Sequence, residues 1–544
     1  MTAPIVKVVV TNKLPATGFA EVFLLAIAGF AVSLYILPTA TGTANGILSF
    51  HTSNIPCHHC FLFARRLSAY ILGHHPNMKR RHLITLPLAA LLPRHLLAQT
   101  RDNIAAKKRP DAPYYLYPTQ KLAQLPGFSM QQADPPRNSF GGWQTNHGGR
   151  GTGKYRTEKQ NGRWWLIDPS GNRCLHIGVV SLYNSETPGS RAAYQKKYRS
   201  LADWANQTTN QLRANGFNGA GCWSSITEIR AARRRFSYCA YIEPMGKFRD
   251  ALKAQGDFQG KVGWQGYPND IIRVFDPRFD AYIEAEAKKL AQYANDPYLV
   301  GYFTDNELPW KNDALDRILT HYRAPDPGYL AAQKWLNLRK GHHATLADIN
   351  DTDRQAFSAY YIETYLQKVT RATRKYAPGK LYLGCRFNQH KEELANEALI
   401  RTAGKYMDIL SINHYHKWQP EAWQMQQWEN WSGKPFLISE FYTKGEDSGL
   451  ANETGEGWIV KTQEDRGYFY QNFIIELLKS RACVGWHWLS YQDSDPTHSG
   501  NTPSNRNTNK GLYTYDYRPY DAALKPMQEI NNRLYRLIEY LDRS

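Results

Sequence analysis

Cysteine is scarce, at seven in 544 residues. That is too dilute for the disulfide scaffold with which small secreted domains replace a hydrophobic core. Zinc-finger spacings and a glycine-rich phosphate loop are also missing, which removes the commonest signatures of nucleic-acid and nucleotide binding. Acidic residues are nearly absent from the front of the chain: the first 98 residues hold eight Lys/Arg against one Asp/Glu, and no tryptophan. The formal charge of +19 therefore overstates the basic character of the rest, where 59 basic and 47 acidic residues leave +12. Arg233, Arg234 and Arg235 form too short a run to mark a nucleic-acid surface, and no nucleic-acid partner is expected.

What is present is a globular composition. Apolar residues make up 42% and aromatic residues 13%, with 15 Trp, 35 Tyr and 21 Phe, which excludes a mostly disordered chain. At about 150 residues per domain the length allows three or four domains, or one large barrel with additions.

The front of the chain reads as targeting sequence. Residues 18–37, GFAEVFLLAIAGFAVSLYIL, carry Glu21 as their single charge, and their length matches a bilayer of roughly 30 Å. Met78 then opens MKRRHLITLPLAALLPRHLLAQT, in which a basic start at 79–82, an apolar stretch at 83–92 and Ala98 follow the plan of a secretory signal peptide. Leu96 stands where a small residue is preferred, and Arg94 and His95 interrupt the approach to the site. Residues 1–98 are accordingly expected to be a leader, with translation starting at Met78 and 1–77 an upstream extension. The alternative is a membrane anchor at 18–37. The expected location is periplasmic or extracellular. Cys57-His58-His59-Cys60 has half the spacing of a metal site but no second half nearby, so no metal and no cofactor are expected. Cys174, Cys222, Cys239, Cys385 and Cys483 fall in predicted strands and read as small core residues.

Residues 99–153 read as a linker or short N-terminal extension, and 154–544 as the catalytic body. Buried strands are predicted at 174–181, 216–223, 237–243, 299–304, 380–386, 407–413, 434–439 and 482–488, with amphipathic helices between them such as 201–215, 280–293, 354–376 and 466–479. Eight alternating units imply an α/β fold with a parallel sheet, a (β/α)8 TIM barrel with long βα loops; a doubly wound open sheet is the alternative. In a barrel the chemistry sits at the carboxyl ends of the strands.

Two of those ends carry glutamate. Strand four runs into Asp305-Asn306-Glu307, and strand seven into Glu440. Either one alone reads as a solvated or helix-capping residue. Together they supply what glycosidic cleavage needs: one carboxylic acid to protonate the leaving oxygen, and a second carboxylate to attack or to activate water. Asp305 would share a face with Glu307 in an extended segment, so strand parity does not separate them.

The pair resembles the clan of retaining (β/α)8 glycoside hydrolases with Asn-Glu after strand four and Glu after strand seven. That resemblance implies Glu307 as general acid/base, Asn306 as the holder of the sugar 2-hydroxyl, and Glu440 as nucleophile. Longer stretches look like family 50, the β-agarases: NGFNGAGCW at 215–223, GYFTDNE at 301–307, ISEFYTKGEDSG at 438–449, TQEDRG at 462–467 and VGWHWLSYQD at 484–493. The likeness runs from about Arg163 to the end, and NTNKG at 507–511 matches the family's pattern only loosely. It implies a polysaccharide partner, most readily agarose; porphyran, carrageenan or a β-galactoside, transglycosylation, and a non-catalytic carbohydrate-binding barrel are the alternatives.

Aromatic residues fit a sugar groove. Trp223, Trp486 and Trp488 fall at strand ends, and Trp310, Trp418, Trp423, Trp428 and Trp431 in the following loops, where flat rings stack on pyranose faces or else serve the core. Trp486 and Trp488 alternate with His487, and the tryptophans are expected to face the barrel interior. At strand six, Asn413 and His414 are candidates to contact substrate, and by clan resemblance Tyr415 donates its hydroxyl to Glu440.

Overall fold

The computed structural model describes residues 102–145, 147–389 and 392–543, and the backbone of four short strands nearer the start of the chain. The chain divides into two compact units, Met1–Leu96 and Leu97–Ser544. In the first, strands Val9–Lys13, Leu24–Ile27, Phe30–Pro38 and Thr43–His51 form an antiparallel sheet in the order first, fourth, third, second. Part of the apolar run 18–37 lies on two of them. Among the described residues no helix is long and apolar enough to cross a membrane. The signal-like stretch 78–98 and Cys57-His58-His59-Cys60 lie outside the described residues.

The second unit is a mixed α/β fold around nine parallel strand pieces. His176–Val180 is flanked by Gly219–Ala220 on one side and Cys483–Leu489 on the other. The sheet continues through Ser237–Ile242, Leu299–Thr304 and Leu381–Tyr382 in one direction, and through Phe436–Phe441, Leu410–Asn413 and Phe387–Asn388 in the other. Its two edge pieces are consecutive in the chain, with four residues between them. That short connection stays bonded to its neighbours, since the Thr304 amide donates to the Gly384 carbonyl at 3.0 Å and the Arg386 amide to Ser411 Oγ at 3.0 Å.

Each predicted strand contributes a piece, and 299–304 appears with its predicted bounds. The segment 216–223 shrinks to Gly219–Ala220, because its three glycines offer little side chain to hold a ladder, and 380–386 keeps only Leu381–Tyr382, with a second piece, Phe387–Asn388, just beyond its end. The strands are buried on both faces, as a parallel sheet under helices must be. The helices start where capping chemistry puts them. Ser200 accepts the Asp203 amide at the head of Leu201–Ala214, and Asn350 and Thr462 form capping boxes ahead of Asp351–Tyr376 and Gln463–Lys479.

Residues 99–153 are partly built into this body. Asp102–Lys107 pairs with Tyr115–Thr119 and lies antiparallel to Trp458–Val460. A hairpin of Arg156–Gln160 and Arg163–Ile167 follows, turning through Asn161 and Gly162, both at positive φ, as a two-residue hairpin loop requires.

The interior parity is the reverse of the expected one. His487 and His176 point inward, and Nδ1 of His176 lies 2.7 Å from Nε2 of His487. The His487 ring also meets Phe303 edge-on, at 6.2 Å between centroids. Glycine on the neighbouring strand clears the space, because a Cβ on Gly178 would lie 2.5 Å from the His487 ring. Trp486 and Trp488 face the helical layer instead. The Trp486 indole donates to the Tyr470 hydroxyl on helix Gln463–Lys479 at 2.7 Å, and that of Trp488 to the Lys510 carbonyl at 2.9 Å. His176, His487 and Phe303 already pack together on the inward side, and the indoles lie between sheet and helices.

Candidate active site

Strand Leu299–Thr304 ends in a backbone that reverses twice, with Asp305 and Glu307 both in the left-handed region. The two carboxylates are therefore not equivalent. Asp305 is buried and turned to the start of helix Pro244–Ala254, where it accepts the Met245 and Gly246 amides at 3.2 and 2.9 Å, and it takes the Tyr365 hydroxyl at 2.6 Å. It anchors a helix N-terminus. Burial pushes its carboxyl up to about 7 despite those donors.

Glu307 is left partly exposed. Its amide reaches the Cys385 carbonyl at 3.2 Å, and its carboxylate accepts Asn413 Nδ2 on Oε1 and Gln265 Nε2 on Oε2, each at 2.8 Å. Burial, and then the nearby charge of Glu440, raise its pKa to about 7, against the lowering effect of the Asn413 hydrogen bond and the Arg386 charge. Asn306 lies beside it, with Oδ1 3.2 Å from Asn413 Nδ2.

Glu440 lies on strand Phe436–Phe441, next to a bulge. Ile412 faces Ile438 but Asn413 faces Glu440, so one extra residue re-aims this end of the strand. Glu440 is buried between two donors. The Tyr415 hydroxyl gives to Oε2 at 2.5 Å, as the clan resemblance implies, and Arg386 gives to Oε1. Arg386 also donates to the Ser439 carbonyl at 3.2 Å and lies over the Trp223 ring at 4.4 Å. Trp223 is 40% exposed and leaves a flat face open beside this group. Lys510 is drawn toward the same cluster, and its pKa is pushed down to about 8 by burial while Glu440 and Glu456 act to raise it. The loosely matching loop 507–511 is pinned from below, with Asp493 accepting the Lys510 and Gly511 amides at 2.8 and 2.7 Å.

The structure thus brings together Glu307, Glu440, Asn306, Asn413, Tyr415 and Trp223. It does not bring His414, Trp486 or Trp488. The His414 ring packs against Phe473 and Trp428 in the helical layer, where burial lowers its pKa to about 3. Asn413 is occupied by Glu307 on one side and by Ser439 Oγ at 2.7 Å on the other, so it positions the glutamate. Of the other tryptophans, Trp310 and Trp428 are core residues and Trp418 stacks on Tyr117 at 5.2 Å. Trp423, Trp428 and Trp431 lie on helix Ala422–Ser432 and not in a loop.

Sequence reasoning missed Arg386, Gln265 and Lys510. Arg386 closes a predicted strand, so the rule that selected Glu307 could have selected it. Gln265 lies in a long segment with no periodic signal. His176, Cys239 and His487 are grouped so that their ligand atoms lie within 4.8 Å of one another. The hydrogen bond between the two rings already pairs their facing nitrogens, and burial holds His176 at about 3, the neutral form a metal ligand requires.

Comparison with known proteins adds a family to this geometry. No family model matches the chain. β-Agarase B of Vibrio sp. (strain JT0107) is 26% identical over 513 residues, 77% of this chain and 52% of the relative, and β-agarase A of the same organism is 24% identical over 465 residues. The crystal structure of BpGH50 superposes with a TM-score of 0.71 and 29% identity, covering 81% of this chain and 96% of that one. The chain is similar to these β-agarases and to the family 50 structure. It spans about half the length of the two curated β-agarases it matches. A solved exo-β-agarase shares the fold, with a TM-score of 0.62 at 22% identity.

Proposed function

We propose that this protein is a retaining β-glycoside hydrolase of the (β/α)8 type that cleaves a β-linked galactan, agarose first among them. The observation that carries the reading is the unequal treatment of two glutamates at the ends of two strands that are not neighbours in the sheet. Glu440 is held between two donors, the Tyr415 hydroxyl and Arg386, as a nucleophile aimed at one carbon must be. Glu307, with a pKa near 7, is able to hold a proton at neutral pH. The near-closure of the sheet, whose two edges are consecutive pieces of one segment, supports an eight-stave barrel.

In the first step a Glu440 oxygen bonds to the anomeric carbon while the glycosidic oxygen leaves with the Glu307 proton. In the second, Glu307 takes a proton from water, whose oxygen replaces Glu440 at the same carbon. The β-agarase relatives support agarose as the substrate. The buried cation of Lys510 beside the pair favours a second reading, a sulfated or acidic galactan. The signal-like stretch at 78–98 supports export as part of the same proposal.

The test is incubation with agarose, porphyran, carrageenan and neutral β-glycans, followed by product masses. Oligosaccharides from agarose are expected, and Glu440→Ala or Glu307→Ala should lower turnover by several orders of magnitude. Wild-type rates in both variants would end the assignment.

A further inference from the structure

Between helix Pro244–Ala254 and strand Leu299–Thr304 the chain makes a small hairpin, of which the reading above uses only the Gln265 side chain. Val262 bridges Pro268, the Asn269 amide donates to the Lys261 carbonyl at 2.7 Å, and the Gly266 amide donates to the Gly263 carbonyl at 3.0 Å. Trp264 and Gln265 are therefore the two central residues of the β-turn at its tip. The tip is held from behind. Arg249 donates to the Gln265 carbonyl at 2.9 Å and lies over the ring of buried Tyr267 at 5.3 Å.

The two tip residues do different things. Gln265 reaches the site and donates to Glu307 Oε2. Trp264 is 67% exposed and has no aromatic or cationic partner among the described residues. An indole that large, held in water on an anchored turn, is not explained by packing. One residue away from it is a direct contact with the acid/base, and that fixes which part of a substrate it would meet. The carboxyl that protonates the glycosidic oxygen faces the departing sugar, while Trp223, stacked over the arginine that holds Glu440, borders the nucleophile's side.

We propose that Trp264 and Gln265 form the seat of the leaving-group sugar, the indole stacking on the apolar face of the pyranose that departs with the Glu307 proton. This rests on the assignment of Glu307 as acid/base. The same seat receives the acceptor in the second step, where the acceptor hydroxyl gives its proton to Glu307 as its oxygen bonds to the anomeric carbon and Glu440 departs. A sugar held there competes with water, so the hairpin governs the balance between hydrolysis and transfer.

The test compares two substrates with the same donor sugars, an agaro-oligosaccharide and its 4-nitrophenyl β-glycoside, whose activated leaving group does not need a sugar seat. Trp264→Ala should lower kcat/KM on the oligosaccharide by about tenfold, at least fivefold more than on the aryl glycoside, and reduce transfer to added oligosaccharide by a similar factor. Trp264→Phe should recover most of both losses. The side chain is exposed, so the variants should melt with the wild type. Equal losses on the two substrates, or no loss on either, would overturn the seat while leaving the glutamates' roles intact. A wild-type protein as inert as Glu440→Ala on every galactan would remove the proposed function and the seat with it.

Discussion

Glu307 and Glu440 are the same side chain given different surroundings: amide donors from Asn413 and Gln265 on the first, the Tyr415 hydroxyl and Arg386 on the second. Glu307 is raised to about 7 by burial and then by Glu440. A general acid works protonated, so kcat/KM should be retained below pH 7 and fall as pH rises through that value. The Gln265 amide favours the ionised form, because it donates to a carboxylate oxygen. Removing it in Gln265→Ala should move the falling limb to higher pH, which a pH profile of kcat/KM on oligosaccharide reads directly; a limb that stays in place would show that the contact does not tune Glu307. That Glu307, Glu440 and Tyr415 come together was legible because the carboxyl ends of parallel strands share one edge of the sheet. Asp305 was not separable from Glu307 in sequence, since only the double backbone reversal sends one to a helix N-terminus and the other to the cleft.

Alternation along strand Cys483–Leu489 was also legible, but not which set faces inward. Tryptophan suits a sugar groove better than histidine does, and that chemical argument pointed the wrong way. Volume decides the matter, because His176, His487 and Phe303 fill the interior and glycines at 178 and 221 clear the space beside the His487 ring. Gly178→Ala should therefore destabilise the fold by about 1–3 kcal/mol in denaturant unfolding. In the His487→Ala background the same substitution should cost far less. Additive costs would mean that the two positions do not meet. The strand pieces shorter than predicted, Gly219–Ala220 and Leu381–Tyr382, lie where glycine interrupts the pattern, and apolar runs alone do not report such interruptions.

Over the whole molecule, the resemblance to known proteins and the positive charge point to different substrates. The relatives are named β-agarases, and agarose is neutral. A net +12 outside the first 98 residues is of the sign that would attract a sulfated chain. If the charge is spread rather than focused on the cleft, kcat/KM on soluble agaro-oligosaccharides should change by less than about twofold between roughly 50 and 300 mM salt, a range in which the screening length falls from about 14 to about 6 Å. A steep fall with salt, together with preference for porphyran or carrageenan, would shift the substrate to an acidic galactan.

The central claim is that Glu307 and Glu440 act as acid/base and nucleophile in a double displacement. It is tested most directly by following the anomeric protons of the first-formed product by NMR as the enzyme cuts an agaro-oligosaccharide, with Glu440→Ala as the control. The β-anomer should appear first and equilibrate with the α-anomer only afterwards, and the control should form no product. An α-anomer formed first, or a Glu440→Ala protein as fast as the wild type, would contradict it.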